Sequence, residues 1–392
     1  VEALPSTRGM TATFDFELIE RYGEVLAAEA KRSGEDVAAA PPMRLPGGFS
    51  EDPFLTGVMG KHLIMGIQAA GVRAATGLPA GDPRNLIPYE MAVKDGQVAC
   101  VTAEHPLLDD WGFRGSVIPN APVPRVEGHA EVARMLAGRT ITLLKNDGAL
   151  LPLSPDIAGR ILVLGPPMFA EGVREVLAEL GAENPVVTDP SAEADTVIAV
   201  GSDAVPGAIV VLTSADPADT PWLDDVPAVL ECYHPGQQGG RALADVLFGT
   251  VTPSGKLPAA YPAFPFGFGL SFTTFDVHTP EVTQTGRFVV VNVPVTNTGS
   301  VAGGEVPQVY ADIPVASSAG GAVERRLVGF RRVEPAPSET AVAVIEIDAA
   351  WPNHPFSRWD DEAREWVLAE GDIVLHIGTS AADLPYTATV RF

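Results

Sequence analysis

The chain has few basic residues. Its 26 lysines and arginines stand against 50 aspartates and glutamates, for a formal net charge of -24. Such an acidic surface repels phosphate backbones and anionic lipid, so nucleic acid and membrane surfaces are not expected partners. Cysteine is nearly absent. Cys100 and Cys232 lie far apart, each inside an apolar run, and are expected as buried free thiols rather than a disulfide framework or metal motif. The seven histidines are dispersed without ligand spacing, so no metal site is expected. No stretch approaches about 18 consecutive apolar residues. The opening Val-Glu-Ala-Leu-Pro-Ser-Thr-Arg shows no basic segment followed by an apolar one, and a soluble, cytoplasmic protein is expected. The glycine-rich Gly236–Gly240 segment lacks both the dinucleotide-binding context and the Walker lysine, so neither nucleotide nor cofactor is expected.

What is present is globular material in quantity. The 392 residues are 46% hydrophobic and 19% charged, enough for more than one core. Glycine (39) and proline (36) point to many short connections. Phe14, Leu18, Tyr22 and Leu26 recur at helical spacing and predict a helix over 14–34. Ser50-Glu51-Asp52-Pro53 reads as a helix start with Ser50 as N-cap, predicting a helix over 51–70. A helix is expected at 83–95, a buried strand at 97–102 and a short strand at 115–119. A further helix is expected over 127–146, then a strand at 160–165, a helix at 170–181, and strands at 195–200, 208–213 and 227–232. Apolar strands separated by helices predict a parallel sheet covered on both faces. From Arg287 the pattern changes to period-two alternation ending in Asn-Thr-Gly, with further runs at 306–313, 326–333, 340–347 and 372–377. This predicts an antiparallel sandwich of the immunoglobulin or fibronectin type III kind.

Several segments resemble glycoside hydrolase family 3. They are Thr140-Ile-Thr-Leu-Leu-Lys-Asn-Asp-Gly, Tyr233-His-Pro-Gly-Gln-Gln-Gly-Gly, Pro253-Ser-Gly-Lys-Leu-Pro and Pro265-Phe-Gly-Phe-Gly-Leu-Ser-Phe. Arg326-Leu-Val-Gly-Phe-Arg-Arg-Val, Phe49-Ser-Glu-Asp-Pro-Phe-Leu-Thr-Gly and Asp110-Trp-Gly-Phe-Arg-Gly continue the match in family order. The resemblance implies a multidomain α/β plus β fold: a truncated (β/α) barrel remnant over 1–126, an α/β sandwich with a mostly parallel sheet over 127–268, and a fibronectin type III-like β-sandwich over 269–392. A closed eight-stranded barrel typically needs about 250 residues, far more than precede Leu143. A collapsed remnant with fewer strands is therefore expected.

The resemblance also implies where sugar-cleaving groups belong. Family members are retaining enzymes, needing one carboxylate as nucleophile and another as acid/base. Asn120 follows Gly112-Phe-Arg-Gly-Ser-Val-Ile and occupies the nucleophile position, where a neutral amide does not form a glycosyl ester. The family's acid/base insertion is reduced to Val200-Gly-Ser-Asp-Ala-Val-Pro-Gly-Ala208, whose one carboxylate is Asp203. The Lys61-His62 pair lies inside a helix, ahead of the family's Lys-His position, and reads as helix surface or a helix–helix contact.

Other polar groups are candidates for different chemistry. Glu104 and His105 form an acid–imidazole pair that suits general acid/base catalysis and equally a structural turn. His234 precedes a glycine-rich turn in which Gln238 stands where the family usually has glutamate. Asp52 is read as a substrate contact or a helix cap. Tyr233 and Trp222 are read as an aromatic wall or core packing. The favoured reading is a family 3-like protein that has lost glycosidase chemistry and acts, without a cofactor, on a small organic substrate by cyclisation, dehydration or isomerisation. A non-catalytic sugar- or partner-binding role and a residual hydrolase using another carboxylate are the alternatives. An incomplete barrel leaves strand edges uncovered, so a homodimer is expected.

Overall fold

The computed structural model describes residues 4–40, 43, 48–77, 86–102, 105–118, 130–201, 205–214, 219–314 and 323–392. The chain divides into two compact units. One comprises Val1–Thr13, Arg125–Thr274 and Ser300–Gly304; the other comprises Phe14–Pro124, Phe275–Gly299 and Glu305–Phe392. The segments expected as a barrel remnant and as a β-sandwich thus fall within one unit. The first helix, α1 (Thr7–Ala12), belongs to the other.

The remnant runs α2 (Phe16–Arg32), β1 (Val37–Ala39), α3 (Pro53–Ala69), β2 (Arg73–Thr76), α4 (Ile87–Lys94), β3 (Cys100–Val101), α5 (Leu107–Asp110) and β4 (Ser116–Val117). The strands form one four-stranded sheet in the order β1-β2-β3-β4, every pair parallel. Sequential parallel order with intervening helices is barrel topology, but four strands do not close a ring of eight. Asp15 caps α2, accepting from Leu18 N at 2.9 Å, and the helix buries Leu18, Ile19, Tyr22 and Leu26. On α3 the cap is Asp52, not the expected Ser50. Asp52 Oδ1 accepts from Leu55 N at 2.7 Å, while Ser50 Oγ accepts from the Asp52 N–H at 3.0 Å and orients that cap. The helices α2 and α3 approach closely because Gly66 has no side chain. A Cβ there would sit 2.1 Å from the Glu20 carbonyl oxygen.

The expected helix over 127–146 is instead α6 (Ala130–Thr140) followed by β5 (Thr142–Asn146). The β-branched run Thr140-Ile141-Thr142 favours the extended chain, and β5 gains an antiparallel partner in β10. The unit continues with α7 (Pro155–Ala158), β6 (Ile161–Leu164), α8 (Pro167–Glu179), β7 (Val186–Val187), β8 (Thr196–Val200), β9 (Ile209–Leu212), β10 (Ala228–Glu231) and α9 (Gly239–Leu247). The six strands are ordered β5-β10-β9-β8-β6-β7, parallel except at β5, and the order reverses direction at β6. Ile161, Val163, Ile198, Ile209, Val211 and Leu230 pack beneath α8 and α9 as its main core. Cys232 lies in that core, and both cysteines are buried free thiols.

The sandwich comprises β11 (Phe275–Val277), β12 (Glu281–Thr285), β13 (Phe288–Asn297), β14 (Gln308–Pro314), β15 (Val323–Phe330), β16 (Thr340–Asp348), β17 (Ser357–Asp360), β18 (Glu365–Leu368), β19 (Asp372–Gly378) and β20 (Tyr386–Arg391). One sheet centres on β13, which pairs with β11, β12 and β16; the other is ordered β15-β14-β19-β20. The alternation read at 288–297 places Val289, Val291, Val293 and Val295 in the core between them.

Candidate functional site

In a barrel, chemistry belongs at the C-terminal ends of the strands. Here those ends lead into 78–85, 103–104 and 119–129, which lie outside the described residues. Asn120 and Glu104 fall in these stretches. Asp203 falls in the undescribed 202–204.

The remaining sequence candidates are dispersed. His105 begins α5; its Nδ1 accepts from Leu107 N at 3.3 Å, and its ring stacks on Trp111 at 6.3 Å. Trp222 is half-buried against a cluster containing Leu212, Val226 and Tyr261. Tyr233 is fully buried in a left-handed conformation (φ 55°), with its hydroxyl 3.1 Å from Thr142 Oγ1. Burial pushes that phenol well above its ordinary value. His234 is exposed, and its carbonyl accepts from Ser6 N at 2.8 Å. Gln238 is the N-cap residue of α9 but makes no side-chain capping bond. Tyr233, His234 and Gln238 therefore share one turn, whereas Asp52 and His105 lie in the other unit.

Two groupings were not anticipated. The first is Glu231, fully buried at the end of β10. It accepts from Tyr261 Oη at 2.6 Å and from Tyr233 N at 2.6 Å. Burial raises its carboxyl to about 7, against the opposing effect of these hydrogen bonds. A lone carboxylate inside the apolar Val-Leu-Glu-Cys-Tyr segment was the available signal.

The second grouping surrounds a cavity of about 220 Å³ bordered by α2, α3, α4 and strands β15 and β16, all in one unit. Its aromatic wall includes Phe16, Phe54, Phe330 and Trp351. His62, on α3, stacks on Phe16 at 4.8 Å, and its Nδ1 lies 2.5 Å from Glu20 Oε1. This geometry fits an Nδ1–H donating to the carboxylate, which leaves Nε2 as the basic nitrogen. Burial lowers the His62 pKa, the Glu20 hydrogen bond opposes that shift, and Lys61 adds to it. The imidazole is thereby held neutral and directionally fixed. Alongside it Lys61 pairs with Asp95 at 3.0 Å.

Asn353 borders the same cavity from the segment between β16 and β17 and is 4% exposed. Neither its Nδ2 nor its Oδ1 has a hydrogen-bond partner among the described residues. Asn353 also borders a neighbouring cavity of about 20 Å³, together with Asp52 and Arg326. Burial raises Asp52 to about 7, although backbone N–H groups and Arg326 oppose the shift. The predicted contact residue Asp52 thus lies beside Asn353, which no motif signalled.

A larger recess of about 590 Å³ is bordered by Gln97, Ala99, Trp111, Phe113 and Gly115. These residues precede β3 and β4, so it lies at the N-terminal end of the sheet, opposite the customary reactive end. Among the described residues no group of three or more His, Cys, Asp or Glu side chains is placed to hold a metal ion. No described helix is long and apolar enough to cross a membrane.

Residues 181–285 match the glycosyl hydrolase family 3 C-terminal domain, and 305–381 match a fibronectin type III-like domain. Beta-glucosidase B of Emericella nidulans is 32% identical over 242 residues, covering 48% of this chain and 28% of that protein. An exo-alpha-(1->6)-L-arabinopyranosidase of Bifidobacterium breve is 26% identical over 376 residues, covering 68% of this chain and 49% of its own length. The chain therefore spans only part of these relatives. The fold matches that of DesR, a beta-glucosidase from Streptomyces venezuelae solved with D-glucose, with TM-score 0.83 and 18% identity over 100% of this chain and 92% of that one. The GH3 beta-glucosidase of Bifidobacterium adolescentis gives TM-score 0.83 and 20% identity over 100% of this chain and 88% of that one. Carrying this family's C-terminal domain and sandwich on a matching fold, the chain belongs to glycoside hydrolase family 3.

Proposed function

We propose that this family 3 protein does not cleave glycosides by double displacement and instead performs proton-transfer chemistry on a small organic molecule. The observation that carries this reading is that an amide, Asn120, stands where the family's motif places its nucleophilic carboxylate. The short 201–208 connection between β8 and β9 and the four-stranded remnant support it. Without a carboxylate at that position no glycosyl ester forms, and the usual two-step route has no first step.

The acid/base group is His62, oriented by Glu20. A neutral imidazole fixed through Nδ1 takes a proton at Nε2 and returns it at a neighbouring atom, which suffices for an isomerisation, a dehydration or a cyclisation. Phe16 stacks on the ring and holds its plane. The cavity's aromatic wall excludes water from a bound neutral substrate.

The reading is tested with cyclohexanone in deuterated buffer, followed by proton NMR. His62 removes an α-proton to give the enolate, and a deuteron returns to carbon. The full chain is expected to exchange these protons faster than a His62→Gln variant by about 10²-fold. Equal rates for the two proteins contradict the assignment.

A further inference from the structure

We propose that the 220 Å³ cavity binds a neutral, single-ring molecule bearing a carboxamide or lactam group, held by the side-chain amide of Asn353. This rests on the reading of that cavity as the substrate site and names the class of molecule it takes.

Asn353 carries the argument. Buried polar groups in folded proteins are almost always hydrogen-bonded. Among the described residues, Asn353 is the one buried side chain with both polar atoms unpartnered. An asparagine amide offers donors at Nδ2 and an acceptor at Oδ1. A carboxamide or lactam presents the reciprocal pair, so two hydrogen bonds form side by side and satisfy both atoms. A simple alcohol or ketone satisfies the side chain less completely.

Volume and charge set the rest. A cavity of about 150 Å³ accepts a benzene ring, so 220 Å³ holds one ring with a small substituent. Phe16, Phe54, Phe330 and Trp351 provide flat apolar surface for that ring. The cations on the cavity wall are already engaged. Lys61 pairs with Asp95, while Arg331 pairs with Glu17 at 3.1 Å and lies over the Phe16 ring at 4.8 Å. The remaining charged wall residue, Glu346, is negative and exposed. An anionic ligand therefore meets no uncommitted cation among the described residues, and a neutral one is favoured.

The test uses benzamide as probe, with benzoate as an anion of the same shape. Binding to the full chain is measured by calorimetry and ligand-observed NMR. Benzamide is expected to bind with a Kd on the order of 1 mM, appropriate to so small a ligand. Benzoate is expected to bind at least about tenfold more weakly. Asn353→Leu is expected to weaken benzamide binding at least about tenfold while melting no lower than the parent protein, because it removes an unsatisfied buried amide. Asn353→Ser, which shortens the side chain within the same segment, is expected to weaken binding similarly if the leucine variant does not fold. No benzamide binding at about 10 mM, equal binding of benzoate, or unchanged binding in a folded Asn353 variant overturns the proposal. Binding is read without chemistry, so its failure is distinct from a failure of the exchange assay on His62.

Discussion

Glu231 and Asp52 are two carboxylates raised to about 7 by burial, from ordinary values of 4.5 and 3.8 respectively. Each binds its proton more tightly in the folded chain than in the unfolded one. Stability is therefore highest below the unfolded value, where both states are protonated, and falls as pH rises through the folded value. For Glu231 the window runs from 4.5 to about 7. The loss across it is on the order of 3 kcal/mol. Glu231→Gln is expected to reduce the fall in urea-unfolding stability between about pH 5 and pH 8, leaving the part due to Asp52. An unchanged pH dependence contradicts this account of Glu231. The two residues were unequally legible in sequence. Asp52 announced itself before Pro53 as a helix-start residue, although the cap was expected on Ser50. Glu231 was hidden because its partners Tyr261 and the Tyr233 N–H come together only when β10 takes its place in the sheet.

The pair of helices α2 and α3 is the element on which the proposed site depends. His62 and Glu20 meet because the helix axes approach at Gly66, one turn beyond His62 on α3. A Cβ on Gly66 meets the Glu20 carbonyl oxygen, which is backbone and cannot swing aside. Gly66→Ala is therefore expected to lower stability by about 1–3 kcal/mol. It is also expected to separate His62 from Glu20, so that the imidazole titrates differently by NMR. An alanine variant as stable as the parent, with an unchanged imidazole titration, contradicts this packing. Both helices were readable from apolar spacing. Their mutual approach was not, because a glycine in a helix signals a close contact without naming the partner. The boundary after Thr140 was misread for a related reason: Leu143 and Leu144 continue the apolar pattern of α6, and only the partner strand β10 distinguishes a strand there from a further helical turn.

At the scale of the whole molecule, the barrel remnant is an open sheet. Among the described residues β1 pairs only with β2 and β4 only with β3, and both residues of β4 are exposed. Open edges of this kind favour pairing with a second copy. A homodimer is the proposed state, and light scattering at micromolar concentration is expected to return twice the 41.1 kDa chain mass. A mass of one chain removes it. The layers themselves followed from sequence: an apolar α/β pattern before Gly249, then period-two strands after Arg287. The candidate site did not follow, because its walls come from α2, α3 and α4 together with β15, β16 and the segment bearing Asn353, which are separated by more than two hundred residues of chain.

The central claim is that double-displacement glycosidase chemistry is lost in this chain. Its most direct measurement incubates the purified protein with 4-nitrophenyl β-D-glucoside and follows nitrophenolate release. The account predicts no release above the buffer rate and no glycosyl adduct in the intact-protein mass spectrum. Rapid release that persists in an Asn120→Ala variant, with an adduct on another carboxylate, would contradict it.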